Sequence, residues 1–444
     1  MNRRKFIRNL MAVPLASGSF LYGNPFNPTV TSANALMSNA ILLGNLKKEA
    51  AASATPIIKT AGPDQFAGKT LVVIFQRGAC DGLNTVIPFG DDEYYNLRPT
   101  IGISPPSISA ASALNLDGLL GLHPALSPLH ELYQQGVMAV MPAVHYNNPS
   151  RSHFESQNLI ESGMPTRLPD GWLNRHMAAL KRDSLVRAVS MGDELVHALR
   201  GSESVMTFNN ISDFGANNFD SATIENLLNI YGDSVFDNPN RDLVHQQGQI
   251  MLNNLETLAD VSEADYTPEN GATYPDSSFG RQLTQVAKLI KSDVGLELAT
   301  VNIGGWDTHA NQGGAEGSQA TRHSDFASGI AALYKDISTA TDSDVVILTM
   351  TEFGRTAREN GSRGTDHGNA SSWFAVGNSI NGGMYGAGAQ WPGLREDQLY
   401  QGRYLAKTID YTDVFSEVLS RHLGNNTLGP VFPNHNYNPI GFLS

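Results

Sequence analysis

The sequence predicts an α/β domain built on a mostly parallel central sheet, with a helical insertion. Three observations carry that expectation. Short apolar runs alternate with helical patterns, the runs are bounded as buried strands are, and residues able to do chemistry collect just after them. The chain has 444 residues, enough for one large domain or two ordinary ones.

The first element is an N-terminal "MNRRKFIRNLMAVPLASGSFLYG". Arg3 and Arg4 precede Phe6 and Ile7, and a modestly apolar stretch follows through Tyr22, broken by Pro14 and Gly18. A membrane span needs roughly 20 strongly apolar residues, so this run predicts an export signal and no integral anchor. Its paired arginines resemble the twin-arginine signal, which exports folded proteins to the periplasm. The small-residue Ala33-Asn34-Ala35 sets the expected cleavage after Ala35, giving a signal over 1–35. Residues 36–66, rich in Ala, Ser, Thr and Gly, read as a linker.

The folded domain is expected over 67–444. Strands are predicted at 70–75, 136–144, 185–191, 296–303, 344–350 and 373–377. Helices are predicted at 124–135, which opens with a proline, at 324–339, and at 413–424, which closes on a glycine. Residues 205–290 are polar and rich in Asn and Asp, with a long helical run at 243–261, and read as a helical insertion or cap. The Gly-Asp-Ser at 232–234 resembles a lipase block but follows a helix-like stretch, and reads as a turn. Acidic residues outnumber basic ones 43 to 30, a net charge of −13, which argues against a nucleic-acid partner. Cys80 is the sole cysteine, so no internal disulfide forms, and its apolar flanks predict core packing. His123 and His130 are assigned to a helix start and a helix face.

In open α/β sheets ligands bind beyond the carboxyl ends of the strands. Asp81 follows the first strand, and Ser150, Ser152 and His153 follow the second. Asp307 and His309 follow "LELATVNI", and Glu352 and Arg355 follow "DVVILTM", ahead of Asp366 and His367 in "GTDHGNASS". Four such loops at one edge predict one site. Carboxylates with imidazoles suit Zn, Mn or another first-row divalent ion, whereas Mg and Ca prefer more oxygen. Ser152, with Glu155 three residues on, has capping-box spacing; it is either a cap or a nucleophile activated at a helix start. Arg355 either clamps an anionic oxygen or bridges to Glu352 or a nearby aspartate.

The ordered set "RGACDGLNTVIP", "SRSHFES", "GGWDTH", "TEFGRT" and "DHG", behind the twin-arginine signal, resembles the bacterial family named domain of unknown function 1501. "DHGN" is also similar to the metal motif of cofactor-independent phosphoglycerate mutases, of the alkaline phosphatase and sulfatase superfamily. The resemblance implies an alkaline phosphatase-like three-layer α/β/α sandwich. It further implies Asp81, Asp366 and His367 as ligands of one metal, Asp307 and His309 as the pair of a second, and Ser152 (or Ser150) as nucleophile. The superfamily spaces that second pair four apart, here it is two, and after "DHGN" only His422 and His435 remain; one metal rather than two is therefore expected. The implied activity is metal-dependent hydrolysis or transfer of a small anionic phosphate or sulfate ester. The alternative is an exported binding protein that keeps the scaffold and a metal without catalysis.

Overall fold

The computed structural model describes residues 68–182, 184, 186–214, 258–262, 264–338, 344–386 and 391–444. The expected signal and linker lie outside them, as do residues 215–257 with the Gly-Asp-Ser block. The chain begins with β1 (Lys69–Gln76), α1 (Gly82–Thr85), β2 (Val86–Ile87), α2 (Asp92–Leu97), β3 (Leu114–Asn115) and β4 (Gly121–Leu122). There follow α3 (Ser127–Gln134), β5 (Met138–His145), α4 (His153–Ser162), α5 (Trp172–Ala179), β6 (Ala188–Met191) and β7 (Met206–Phe208). Next come α6 (Ser278–Lys291), β8 (Leu298–Ile303), α7 (Ser318–Ile337), β9 (Asp344–Met350) and β10 (Ser371–Val376). The last are β11 (Gly383–Met384), β12 (Ile409–Asp410) and α8 (Tyr411–Glu417).

Among the described residues nine strands form the main sheet, in the order β11-β5-β10-β9-β1-β8-β6-β7, with β12 also paired to β5. β1 runs parallel to both β8 and β9, so its central residues, apolar on both faces, sit at the middle of the sheet. Only β10 opposes its neighbours, β5 and β9. Its reversal has a local cause: the connection from Met350 to Ser371 stays at one edge of the sheet and needs no crossover helix. Every predicted strand is present, so the fold is a mixed α/β architecture with a large, mostly parallel sheet.

Strand alternation divides the core. Val72 and Ile74 of β1 join one apolar cluster with α3, α6 and α7. Leu71, Val73 and Phe75 join another with α4, α5 and α8. In α7 the buried residues His323, Phe326, Ala327, Ile330 and Leu333 recur at three- and four-residue steps, one apolar stripe turned to the sheet. Trp172 of α5 stacks on Phe415 of α8 with centroids 4.1 Å apart. Burying such side chains contributes roughly 1.5–3 kcal/mol each. The described ends of the stretch 205–290 join this body, since β7 pairs with β6 and Phe279 and Leu283 of α6 pack in the α7 cluster. Cys80 is fully buried, and burial pushes its thiol far up, leaving it a packing residue. His123 caps a short helical turn by accepting from Ala125 N–H, and His130 on α3 meets the Asn115 carbonyl. Among the described residues no helix is long and apolar enough to cross a membrane.

Buried imidazoles give the fold an acid-sensitive stability. Burial holds His145 down to about 3, and His123 and His422 to about 4, below the usual 6.5. All three stay neutral in the folded chain while the unfolded chain takes up protons below about pH 6.5. Stability therefore falls as pH drops from about 6.5 toward the folded values. Each group contributes up to about 1.4 kcal/mol per pH unit. Urea unfolding at pH 7 and pH 5 is expected to show the loss, reduced when His145 is replaced by glutamine.

Candidate metal centre

Three connections meet at the carboxyl edge of the sheet, and side chains from each gather together. The first follows β5, where α4 begins with His153. Another follows β8 and carries Asp307 and His309. Glu352 and Arg355 come after β9, and Asp366 and His367 enter β10.

The converging atoms are the Nε2 nitrogens of three histidines and one carboxylate oxygen. His153 Nε2 and His309 Nε2 each lie 3.0 Å from His367 Nε2. Asp307 Oδ1 lies 3.0 Å from His309 Nε2 and 3.4 Å from both His153 Nε2 and His367 Nε2. Ligand atoms of a tetrahedral ion with bonds of about 2.0–2.1 Å stand about 3.3 Å apart. These five separations fall close to that edge, and His153, Asp307 and His367 form a group whose ligand atoms all lie within 4.8 Å of one another, with His309 beside it.

The outer hydrogen bonds decide what these atoms present. His153 Nδ1 lies 2.8 Å from Glu352 Oε1, His367 Nδ1 2.8 Å from the Arg151 carbonyl, and His309 Nδ1 3.0 Å from Asp366 Oδ1. Each partner can only accept, so each Nδ1 carries and donates its proton. Neutral imidazoles in this tautomer turn three Nε2 lone pairs toward Asp307 Oδ1. Apart from the Arg355 guanidinium, which donates to Asp307 Oδ1, this gathering holds acceptors only, and three Nε2 lone pairs so close together call for a cation or a proton at their middle. Glu352 raises His153 accordingly, the hydrogen bond outweighing burial, while burial lowers His367.

Local structure explains the convergence. Asp307 and His309 are two apart, yet both face the centre because Thr308 between them is buried and bonded to Gln312. The backbone bonds from Thr308 N–H to Trp306 O and from His309 N–H to Asp307 O hold a tight turn there. The His367 loop lies backbone to backbone on its neighbours: a Cβ at Gly364 would fall 2.4 Å from the His309 carbonyl carbon, and one at Gly368 2.2 Å from that of Arg355. Only glycine permits that approach. Thr356 N–H donates to Asp366 O, and Gly368 N–H to Gly354 O, clamping the loop in register. Phe353 supplies an apolar wall, its ring centroid 5.0 Å from that of His153 and 5.1 Å from that of His367. The outer side is open, Asp307 and His309 being 46 and 45 % exposed.

Asp307, His309 and His367 thus meet as a group, and Asp366 joins them from outside through His309. Two of the expected site residues are placed differently. Asp81 is not among the converging atoms: it is fully buried and its carboxylate is committed elsewhere. Arg98 grips both oxygens at 2.6 and 2.9 Å, Gln312 donates to Oδ2 at 2.6 Å, and Leu83 N–H donates to Oδ1. Those bonds use its lone pairs, so Asp81 has no capacity left for an ion. Arg355 is likewise turned inward. It donates to the carbonyls of Gly78, Ala79, Trp306 and Thr365 and to Asp307 Oδ1 at 2.5 Å. Its open alternative, a bridge to a nearby aspartate, is the arrangement found, and every nitrogen of the guanidinium is bonded within the chain.

Burial pushes the Asp307 carboxyl up, but the Arg355 bond and charge outweigh it and hold the group below its usual range. The hydrogen bond from His309 lowers Asp366. Burial pushes Glu352 up, and bonds from His153 and Gln157 more than offset it. Ser152 occupies the cap position of α4 but makes no side-chain cap bond, and the Glu155 carboxylate accepts from Ser150 at 2.6 Å. The expected capping box is therefore absent, and the Ser152 side chain stands exposed next to His153. His153 is the residue that sequence reasoning missed as a ligand, although it lies in the flagged "SRSHFES" segment. Glu352→Gln is expected to lower metal affinity about 10–100-fold, as loss of a charged partner behind a ligating histidine does. Competition against a zinc chelator measures it.

No curated protein matches the chain. Residues 68–426, which contain all the converging side chains, match one protein family. By that match the chain belongs to the family described as protein of unknown function (DUF1501).

Proposed function

We propose that the chain is an exported, metal-dependent hydrolase or transferase of phosphate or sulfate esters, on an alkaline phosphatase-like fold. The observation that carries the metal is the group of His153, Asp307 and His367, whose ligand atoms lie 3.0–3.4 Å apart, with His309 Nε2 3.0 Å from the last two. His153, His309, His367 and Asp307 would hold one divalent ion. A nitrogen-rich set of this kind fits zinc or another first-row metal better than Mg or Ca. Such an ion supplies Lewis-acid stabilisation of the charge that builds on a phosphoryl or sulfuryl oxygen.

The chain's own residues do the rest in this reading. Glu352, the Arg151 carbonyl and Asp366 fix the imidazole tautomers, and Arg355 orients Asp307. Ser152, exposed at the start of α4 beside His153, attacks the phosphorus or sulfur and its proton leaves with the alcohol; water then releases the serine ester. Export by the twin-arginine route, from Arg3 and Arg4, suits a protein that acquires its metal before crossing the membrane. Small anionic esters are the expected partners.

One observation favours the non-catalytic alternative. Four protein donors are enough to close a tetrahedral ion, as structural sites do. Zinc-loaded wild type and Ser152→Ala, assayed on phosphomonoesters, phosphodiesters and sulfate esters, separate the two. The enzyme reading expects turnover that drops at least about 100-fold in Ser152→Ala while zinc content holds. Zinc-replete protein without turnover on any of these esters would replace it with the binding reading.

A further inference from the structure

A cavity of about 520 Å³ opens beside the metal centre, and Asp366 belongs to both. Its Oδ1 accepts from His309 Nδ1 at 3.0 Å and from Asn360 Nδ2 at 3.1 Å. Asn360, which also lines the cavity, donates to the His309 carbonyl as well. The floor is apolar: Leu97, Leu394 and Leu399 belong to a separate buried cluster under this edge.

The charges around that floor are mixed. Glu93, Glu359, Asp366 and Glu396 line the cavity together with Arg358 and Arg403. Four carboxylates disfavour an anion there, and two guanidiniums disfavour a simple cation. Glu359 and Asp366 already hold donors, Glu359 from the Thr100 hydroxyl and the N–H groups of Thr100 and Ile101. The other four groups keep bonding capacity. Among the described residues the exposed Arg358 guanidinium meets no acceptor, and the exposed Glu396 carboxylate no donor. The Glu93 carboxylate has only the Asn96 amide, at 3.2 Å. Arg403 has only Asp366 Oδ2, at 3.9 Å, and the Tyr404 ring, 5.7 Å away.

Two acceptors and two donors thus stand open over one apolar floor. A hydroxyl is uncharged and is donor and acceptor at once. Neighbouring hydroxyls on a ring satisfy such a rim, because a carboxylate accepts two O–H groups and a guanidinium donates to two oxygens. The C–H face of the same ring covers the leucines. The volume is that of a site for a small molecule.

We propose that this cavity binds a neutral polyhydroxylated ring, so that the ester processed at the neighbouring centre is the ester of a sugar. The second half of the inference rests on reading that centre as the ester site. Arg358 and Glu396 bond the hydroxyls, and Leu97, Leu394 and Leu399 take the carbon face. Asp366, bonded to a ligating histidine and lining the cavity, places the ring next to the ester group.

Saturation-transfer NMR on zinc-free, full-length protein tests the cavity. The probes are the methyl glycosides of glucose, galactose, mannose, xylose, fucose and N-acetylglucosamine, with inorganic sulfate and methylammonium as charged competitors. At least one glycoside is expected to bind and to resist both competitors. Arg358→Ala and Glu396→Ala are each expected to weaken it roughly tenfold, as loss of a charge-assisted bond does, with zinc content unchanged on reloading. No binding of any glycoside, displacement by either competitor, or binding that survives both substitutions would overturn the site. Zinc-loaded wild type is expected to act on the phosphate or sulfate ester of the bound sugar with a KM at least about tenfold below that for methyl phosphate or methyl sulfate. The Arg358→Ala Glu396→Ala variant is expected to lose that advantage, and equal KM values in wild type would overturn the assignment of the cavity to the ester's alcohol. Zinc-loaded protein inert on every ester would count against the enzyme reading instead, and the zinc-free glycoside measurement would still decide the cavity.

Discussion

His367→Ala is expected to abolish stoichiometric metal binding while leaving the fold intact. His367 Nε2 is the atom nearest to both other histidines, at 3.0 Å from each, so its removal opens the centre of the set. Loss of a partner behind a ligand costs about 10–100-fold in affinity, and loss of a ligand itself should exceed that range. The structural cost is small by comparison. His367 is partly exposed and its one backbone bond, to Arg151 O, contributes about 1 kcal/mol. Metal content after dialysis against zinc, with circular dichroism on the same sample, reads both effects. A folded His367→Ala protein that retained one tightly held ion would remove this residue from the ligand set.

Asp81→Ala is expected to do the reverse, destabilising the fold while sparing the metal. Arg98 is 1 % exposed and donates to Asp81 from two nitrogens, to Asn84, and to the carbonyls of Thr356 and Ala357. Removing the carboxylate leaves a buried guanidinium without its counter-charge, which costs about 3–5 kcal/mol. At about 2–4 °C per kcal/mol, the midpoint of thermal unfolding should fall by roughly 10 °C. Asp81→Asn keeps the shape and serves as the milder variant should the alanine protein not accumulate. Loss of zinc from folded Asp81→Asn would return Asp81 to the metal.

The contrast between these two residues shows what the sequence could and could not reveal. Strand positions were legible because apolar runs such as 70–75 and 344–350 have no other stable place than the middle of a sheet. The gathering of polar loops was legible for the same reason, since strand ends define an edge. The role of each polar residue was not. A carboxylate that follows a strand is suited equally to an ion and to an arginine, and Asp81's partners Arg98 and Gln312 reach it only through the tertiary fold. Arg355 was ambiguous in the same way, because nothing in "TEFGRT" says whether its fork points in or out. His153 was hidden by its neighbour, as Ser152 drew the chemistry that the imidazole beside it supplies geometrically. The two-residue spacing of Asp307 and His309 looked imperfect against a four-residue pattern. In a tight turn with Thr308 buried, alternate residues face the same way, and the spacing becomes adequate.

The central claim is that three Nδ1-protonated histidines and Asp307 surround one divalent ion. Zinc X-ray absorption on metal-loaded full-length protein, with the ion counted on the same sample, tests it most directly. One ion per chain is expected, bound mainly by imidazole nitrogen at about 2.0–2.1 Å, with an imidazole contribution that falls in His153→Ala. No stoichiometric ion, or one surrounded by oxygen alone and indifferent to His153, would contradict it.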